Sequence, residues 1–294
     1  MQPVEIALMS LIIGIVLVLG CVAGGFVLSH GELAALWQPY ELLVIGGAAL
    51  GAFVIANPGK VVKQTFGSIP KLLKGSKYKK EFYMDTLALL YDLLAKVRKE
   101  GLMSIESDVE TPDQSPIFTK YPMILEDHHA MDFLVDYLRL MVGGNLNAFE
   151  IENLMDNEIE THHHEGEAPI GAISRVGDGL PAFGIIAAVM GVIKTMGSVG
   201  APPEILGGKI GAALVGTFLG ILLAYGFVGP LASLLEQKLS EQTKMLQCIK
   251  VTLLASLNGY PPQVAVEFGR KVLYSTERPS FSELEQEVKQ RKGK

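Results

Sequence analysis

Two apolar segments with a short break between them decide the architecture of this chain. Residues 177–200 read GDGLPAFGIIAAVMGVIKTMGSVG, and residues 209–237 read KIGAALVGTFLGILLAYGFVGPLASLLEQ. Each is near the roughly 20 residues that an α-helix needs to cross the hydrocarbon core of a bilayer. Both are rich in small residues, such as the pair Gly216 and Gly220, and small residues let helix backbones approach closely in lipid. The two segments therefore predict a tightly packed, membrane-spanning hairpin.

A proline lies near one end of each segment. We expect Pro181 to open the first helix and Pro230 to close the second. Proline within a helix removes one backbone hydrogen bond and kinks the helix axis. In a hairpin the two prolines would lie at the same membrane face, and a pair of kinks at one depth indicates a moving joint. Two static kinks are the alternative interpretation.

The composition excludes several classes of protein. Of the 294 residues, 49% are hydrophobic and only 19% are charged, which indicates a membrane protein. The net charge of -6 argues against a nucleic-acid partner. The two cysteines, Cys21 and Cys248, cannot form a disulfide framework, so we interpret both as packing residues.

Two more apolar spans, at about residues 4–29 and 41–56, precede the hairpin. Seven lysines follow the second span within residues 57–80, whereas the connecting segments 30–40 and 200–208 contain no lysine or arginine. Positive charge is enriched in cytoplasmic loops, so the lysine-rich side is predicted to be cytoplasmic. The sequence therefore predicts an all-α, polytopic membrane protein with four transmembrane helices, a helical cytoplasmic domain, and both termini in the cytoplasm.

This topology divides the chain into four predicted regions. Residues 1–56 hold transmembrane helices 1 and 2 with a short periplasmic turn, and residues 57–175 form the helical cytoplasmic domain. Residues 176–235 hold transmembrane helices 3 and 4, and residues 236–294 form cytoplasmic C-terminal helices. In the cytoplasmic domain, apolar residues at positions 83, 87, 90, 94 and 97 predict a helix that stops at Gly101.

Further helix boundaries follow from capping patterns and breaks. A second cytoplasmic helix is expected at about residues 126–141, and Asn147 with Glu150 predicts a capping box for a third helix that ends near residue 160. Ser280 with Glu283 caps a tail helix. Residues 161–171, which contain His162, His163 and His164, are predicted to be a solvated loop, and the role of these histidines is not defined by the sequence.

No catalytic or metal-binding constellation is present in the sequence pattern. The middles of the last two spans contain no Asp or Glu, although an ion path through a membrane usually needs an ionisable group at mid-depth. If this chain helps to conduct ions, another chain must supply the carboxylate. Thr217 is then the best polar group in the fourth span, and a hydrogen bond to its own helix backbone is the alternative role.

Two charges flank Gly101 at the end of the first cytoplasmic helix. Arg98 and Glu106 are typical of solvated surface side chains when each is considered by itself. As a pair they form a patch that could contact a partner of complementary charge.

Several long segments resemble the MotA family of flagellar motor stator proteins. They are GDGLPAFGIIAAVMGV, GTFLGILLAYGFVGPLASLL, SLNGYPPQVAVEFGRKVLYSTERPSF, SKYKKEFYMDTLALLYDLLAKVR and MDFLVDYLRLMV, and the resemblance covers essentially the whole chain. It implies a non-enzymatic protein of the bacterial inner membrane that forms a pentamer around two copies of MotB. MotB would supply the ion-carrying aspartate, and the complex would apply torque to the rotor protein FliG. No cofactor is implied beyond the coupling ion.

The resemblance also assigns roles to individual residues. The functional prolines of the family fall on Pro181 and Pro230, and its rotor-contacting charges fall on Arg98 and Glu106. Two pore positions that tend to be threonine in sodium-driven relatives are Ala188 and Thr217 here. A hydroxyl can replace part of the water shell of sodium and alanine cannot, so the resemblance favours protons over sodium.

Other functions stay open at this point. An ExbB-like or TolQ-like energiser of an outer-membrane system would use a similar ion motor, but such chains have three spans. A non-conducting membrane scaffold would tolerate alanine at both prolines, and a membrane enzyme would need a catalytic constellation. The sequence does not distinguish polar from lateral flagella, and it defines neither the stoichiometry nor the gating of the channel.

Overall fold

All regular structure in the protein is helical within residues 3–73, 75–144 and 147–292, which a computed structural model describes. Lys74, one of the seven lysines of the segment 57–80, lies outside these residues. The α-helices are α1 (Pro3–Leu28), α2 (Leu33–Leu36), α3 (Pro39–Ala56), α4 (Gly59–Leu72), α5 (Lys80–Glu100), α6 (Glu106–Glu110), α7 (Pro122–Leu125), α8 (His128–Gly143), α9 (Ala148–Met196), α10 (Pro203–Leu223), α11 (Gly229–Leu257), α12 (Pro262–Val272) and α13 (Phe281–Lys292).

The chain divides into two compact units. The first, which we call the membrane unit, comprises Met1–Ser76 and Glu165–Lys238, and the second, the helical unit, comprises Lys77–His164 and Leu239–Lys294. Within the part of the chain that the structure describes, four helical stretches are long and apolar enough to cross a membrane: Met9–Leu28, Leu33–Ala56, Ala148–Met196 and Pro203–Leu257. The predicted fold class, an all-α membrane protein with four spans, is confirmed.

The membrane unit has a small core and a large apolar surface. Its buried cluster consists of Ile45, Ala49, Leu180, Ala187 and Ala224. On α1, in contrast, large apolar side chains are exposed, among them those at positions 16 and 17 with 61% and 58% of their surface accessible. An apolar surface of this kind indicates contact with lipid or with other chains rather than with water.

The helical unit has a large apolar core built around α5. The predicted stripe on α5 is confirmed, because Tyr83, Leu87, Leu90 and Leu94 are fully buried and α5 packs against α12 and α13. Gly101 ends this helix with φ of 89°, a conformation that glycine adopts without steric cost.

A buried carboxylate stabilises the start of α8 in the helical unit. The side chain of Asp127 accepts hydrogen bonds from the backbone N–H of Ala130 and from the Tyr78 hydroxyl, at 3.3 and 3.0 Å. The Lys77 ammonium lies 2.8 Å from the same carboxylate. Burial, together with the negative charge of Asp127, raises the pKa of Tyr78 well above its ordinary value.

Two predicted caps form as expected. The backbone N–H of Asn147 donates to the Glu150 carboxylate at 2.9 Å, and that of Glu150 donates to the Asn147 side chain at 3.0 Å. Ser280 and Glu283 make the same reciprocal pair at 2.7 and 3.2 Å. Lys80 also contacts Glu283, and this contact together with the cap lowers the pKa of Glu283 to about 2.

The predicted loop at residues 161–171 is wrong, because α9 continues through all of it. Tertiary contacts outweigh the helix-disfavouring effect of Gly166 and Pro169. The His163 ring lies 3.2 Å from the Thr243 hydroxyl on α11, the His162 ring stacks edge-on to that of His129 at 5.1 Å, and Pro169 is buried.

The expected positions of the two hairpin prolines within their helices are also wrong. Pro181 does not open a helix but lies inside α9, and Pro230 does not close one but lies in the first turn of α11. A proline removes only one backbone hydrogen bond, so a helix with long packed segments on both sides can continue through it.

Candidate functional site

Backbone contact between α9 and α10 defines the centre of the membrane unit. A Cβ atom placed on Gly184 would lie 2.7 Å from the carbonyl oxygen of Gly216 and 3.1 Å from the Cα of Gly220. A Cβ atom on Gly220 would lie 2.6 Å from the carbonyl oxygen of Leu180. Since any side chain would clash with backbone here, the predicted close packing through small residues is confirmed.

The same contact continues in both directions along the two helices. Toward the connecting turn, a Cβ atom on Gly191 would lie 2.6 Å from the Cβ of Ala213. Toward the other end, a Cβ atom on Gly177 would lie 3.4 Å from Cγ1 of Val228 and 3.7 Å from the backbone nitrogen of Gly229. The chain therefore folds back as an antiparallel hairpin with a glycine at each of these contacts.

This register brings the two prolines to one level of the hairpin. Pro181 lacks the N–H that would bond to the carbonyl of Gly177, and Gly229 directly precedes Pro230. Because Gly177 packs beside Gly229, the two interruptions lie opposite each other. The structure places both prolines where we expected them relative to each other, and their role in movement stays a prediction.

A π-helical turn, which we did not predict, separates α10 from α11. It covers Ala224–Val228, and the N–H of Gly229 donates to the carbonyl of Ala224, five residues earlier. Such turns interrupt regular α-helices and often occur at functional sites. The sequence signal for it is the run Gly226, Gly229 and Pro230, which weakens a regular helix at three closely spaced positions.

The two candidate pore positions, Ala188 and Thr217, lie in neighbouring layers of the same interface. A Cβ atom on Gly216 would lie 3.1 Å from the backbone nitrogen of Ala188, and one on Gly184 would lie 3.3 Å from the Cα of Thr217. Both residues are half-buried. Among the described residues, the Thr217 hydroxyl makes no hydrogen bond, unlike that of Thr195, which donates to its own helix at 2.8 Å.

The middle of each hairpin helix contains no acid. No Asp or Glu occurs between Asp178 and Glu204 or between Glu204 and Glu236. Within the described residues there is also no cluster of three or more His, Cys, Asp and Glu side chains that could hold a metal ion. The hairpin can therefore pack, kink and line a path, but a titrating carboxylate within it must come from another chain.

In the helical unit, Arg98 and Glu106 are both exposed on either side of Gly101. Arg98 lies in the last turn of α5 and donates a hydrogen bond of 3.3 Å to the carbonyl of Gly259, two residues after the end of α11. Glu106 begins α6. The structure thus presents both charges at the surface, as predicted.

A buried ion pair that the sequence analysis missed holds α6 against α5. The Asp108 carboxylate, 3% exposed, lies 2.7 Å from the Lys96 ammonium and accepts a hydrogen bond of 2.7 Å from the Ser115 hydroxyl. Lys96 and Asp108 are twelve residues apart and lie in different helices, so no helical spacing could have indicated the pair. It fixes the backbone on which Glu106 is presented.

Comparison with known proteins decides the family. Residues 12–101 match the family described as Motility protein A N-terminal, and residues 126–248 match the MotA/TolQ/ExbB proton channel family. The chain is 57% identical over 281 residues to Motility protein A of Salmonella typhimurium, covering 96% of this chain and 95% of that protein. The chain belongs to the motility protein A family. Chemotaxis protein LafT of Vibrio parahaemolyticus is 37% identical over 97% of this chain and 100% of its own length.

Solved structures agree with membership of the motility protein A family. The flagellar MotAB stator complex from Bacillus subtilis matches with a TM-score of 0.74 and 27% identity, covering 94% of this chain and 98% of that chain. The structure of C. jejuni MotAB shares the fold, with a TM-score of 0.78 and 20% identity over 92% of this chain and 98% of that chain. A motility protein A chain is a stator subunit of the flagellar motor, and the energiser alternative is not favoured.

Proposed function

We propose that this chain works with a MotB subunit as a proton-driven torque generator, as a pentamer around two MotB copies. One structural observation supports this mechanism above all. Helices α9 and α10 pack through glycine, the two prolines and the π-turn lie at one level beside this contact, and residues 179–203 and 205–235 contain no Asp or Glu. A hairpin of this kind suits a joint that responds to a titrating group on a partner, and the related Bacillus subtilis structure is that of a MotAB stator complex.

In this mechanism the energy comes from ions that move down their gradient. Each elementary charge that crosses the membrane releases about 2.3 kcal/mol per 100 mV. Protonation of the MotB aspartate removes its charge and changes which packing against α9 and α10 is preferred. Ala188 favours protons, because its methyl group cannot replace part of the water shell of a sodium ion. No covalent chemistry is involved.

The proposed joint at Pro230 lies at the start of α11. Helix α11 begins one residue before Pro230 and continues to Leu257. Two residues later, the Gly259 carbonyl accepts the hydrogen bond from Arg98. In this proposal Arg98 and Glu106 are the residues that contact FliG. In this proposal the chain lies in the bacterial inner membrane, with both termini in the cytoplasm.

Swimming in a motile host that lacks its own stator tests the proposal. The host expresses this chain with its cognate MotB, and swimming speed is measured across a sodium series and with an uncoupler. Motility that is independent of sodium and abolished by the uncoupler is the expected result. Strict dependence on sodium would contradict the proton assignment and leave the stator function intact.

Charge reversals test the rotor contact in the same host. R98E and E106R are expected to reduce swimming while the amount of stator in the membrane stays unchanged. The matched control is E110K, which reverses an exposed charge on α6 within the same unit. Equal swimming by all three variants and the unmodified chain would remove the assignment of Arg98 and Glu106.

A further inference from the structure

Helix α4 directly follows the second membrane span. Span α3 ends at Ala56 and α4 begins at Gly59. The short link is held in place, because the buried Asn57 side chain donates to the Phe53 carbonyl at 2.7 Å and accepts a hydrogen bond of 3.0 Å from Arg175. Helix α4 therefore starts at the same membrane face at which α3 ends.

The buried side of α4 is not its most hydrophobic side. Thr65, Ser68 and Leu72 are between 3% and 7% exposed, and together with Val61 they occupy one sector of about 60° around the helix. Thr65 and Ser68 satisfy their hydroxyls within the helix, through bonds of 2.8 and 2.7 Å to the carbonyls of Val61 and Thr65. This sector, in which two hydroxyls lie beside Val61 and Leu72, therefore faces the interior of the protein.

A second sector carries large apolar side chains that the membrane unit leaves exposed. Phe66, Ile69 and Leu73 are 52%, 46% and 49% exposed, and they line up with Val62 in another sector of about 60°. The Phe66 ring is nearly perpendicular to that of Phe53, with 5.9 Å between the ring centroids. We call the residues 62, 66, 69 and 73 the apolar stripe.

A third sector of α4 carries lysines. Around the helix, the apolar stripe lies between this sector and the buried one. Lys63 is exposed, and Lys60, with 73% of its side chain exposed, is paired at 3.2 Å with Glu165, whose side chain is 58% exposed. An exposed pair of this kind contributes little to stability, so Lys60 can exchange its partner. The segment 57–80 contains seven lysines and no Asp or Glu, and two of these lysines, Lys77 and Lys80, are paired with Asp127 and Glu283 in the helical unit.

We propose that α4 is an anchor on the membrane surface that binds anionic phospholipid. The apolar stripe enters the acyl-chain boundary of the leaflet, and Lys60 and Lys63 bind phosphate headgroups beside it. Amphipathic helices with lysines next to an apolar face bind membranes in this manner, with a preference for anionic lipid. Continuity with α3 and the charge of the segment favour this occupant over the apolar face of a second copy of the chain.

Tryptophan quenching in vesicles tests the proposal with the full chain. Trp37 is the single tryptophan, so F66W in a W37F background places one reporter on the apolar stripe. The protein is reconstituted into phosphatidylcholine, with bromine-labelled phosphatidylcholine or bromine-labelled phosphatidylglycerol added at equal mole fraction. We expect both to quench the fluorescence of this reporter and the anionic lipid to bind about five-fold more tightly at low salt, the ratio that corresponds to about 1 kcal/mol for one lysine near the surface.

Charge removal provides the matched comparison. K60Q/K63Q should bring the ratio of affinities for phosphatidylglycerol and phosphatidylcholine close to one. K194Q/K209Q, which removes two lysines from the hairpin in the same unit, should leave this ratio unchanged. Circular dichroism verifies that every variant is folded. Absence of quenching would show that protein covers the stripe, and a preference that is absent or survives K60Q/K63Q would show that these lysines bind no headgroup. Either result overturns the proposal.

Discussion

Substitution of Gly220 by alanine probes the backbone contact that organises the membrane unit. The added Cβ would lie 2.6 Å from the Leu180 carbonyl oxygen and 3.0 Å from the Cα of Gly184, whereas ordinary contact begins near 3.4 Å. Both neighbours are backbone atoms, so neither can move away as a flexible side chain could. The two helices must separate locally by about 0.8 Å, the difference between 3.4 and 2.6 Å.

The size of the effect follows from two opposing contributions. Overpacking of a close contact costs about 1–3 kcal/mol, and replacement of glycine by alanine in a helix gains up to about 1 kcal/mol in intrinsic propensity. G211A on the same helix is the matched control, since nothing lies within 4 Å of a Cβ atom at that position. The difference between the two variants therefore isolates the cost of overpacking, about 1–3 kcal/mol.

Thermal melting of the detergent-purified protein measures this difference. G220A should melt several degrees below G211A, because about 1 kcal/mol shifts the melting temperature of a chain of this size by roughly 2–4 °C. Cells that express G220A with its partner should also swim more slowly than cells that express G211A. If G220A melts at or above the temperature of G211A, α9 and α10 are not in backbone contact at this level, and the proposed joint loses its basis.

Three more predictions concern the ion pair, the buried tyrosine and the π-turn. K96M should reduce the free energy of unfolding by about 3 kcal/mol in denaturant melts, because it leaves the charge of Asp108 buried without its partner. D108N removes that charge and should therefore reduce the free energy of unfolding by less. The pKa of Tyr78 is raised in the folded state, so the contribution of this group to stability is fully present below pH 10.0, its ordinary pKa, and is lost as the pH rises beyond that value. The melting temperature of Y78F, which also loses the hydrogen bond to Asp127, should therefore fall less at alkaline pH than that of the unmodified chain. P230A restores a backbone N–H donor, so its melting temperature should equal or exceed that of the unmodified chain, while cells that express it should stop swimming. Normal swimming would exclude a joint at Pro230.

Hydrophobic periodicity accounts for much of what the sequence predicted. The four spans, the buried stripe of α5 and the end of that helix at Gly101 depend on local composition and spacing, so they can be derived without tertiary structure. The same holds for the caps at Asn147 and Ser280, because each involves residues only three positions apart. The placement of Arg98 and Glu106 at the surface likewise follows from their charge.

The errors arose where distant contacts decide local conformation. Gly166 and Pro169 indicate a loop, but α9 continues because its flanks pack over many residues and because His163 contacts Thr243 on α11. The buried pair of Lys96 and Asp108 could not be predicted, since no local pattern relates residues in different helices.

By itself, the sequence determined which segments enter the membrane, because the number and length of apolar runs control transfer from water to lipid. It also determined that the middles of the two hairpin spans contain no acid and are rich in glycine. Only the tertiary structure decided that a π-turn lies beside the two prolines and that α4 turns Thr65 and Ser68 inward. These features depend on the register in which helices pack, and register is chosen by contacts between residues that are far apart in the chain.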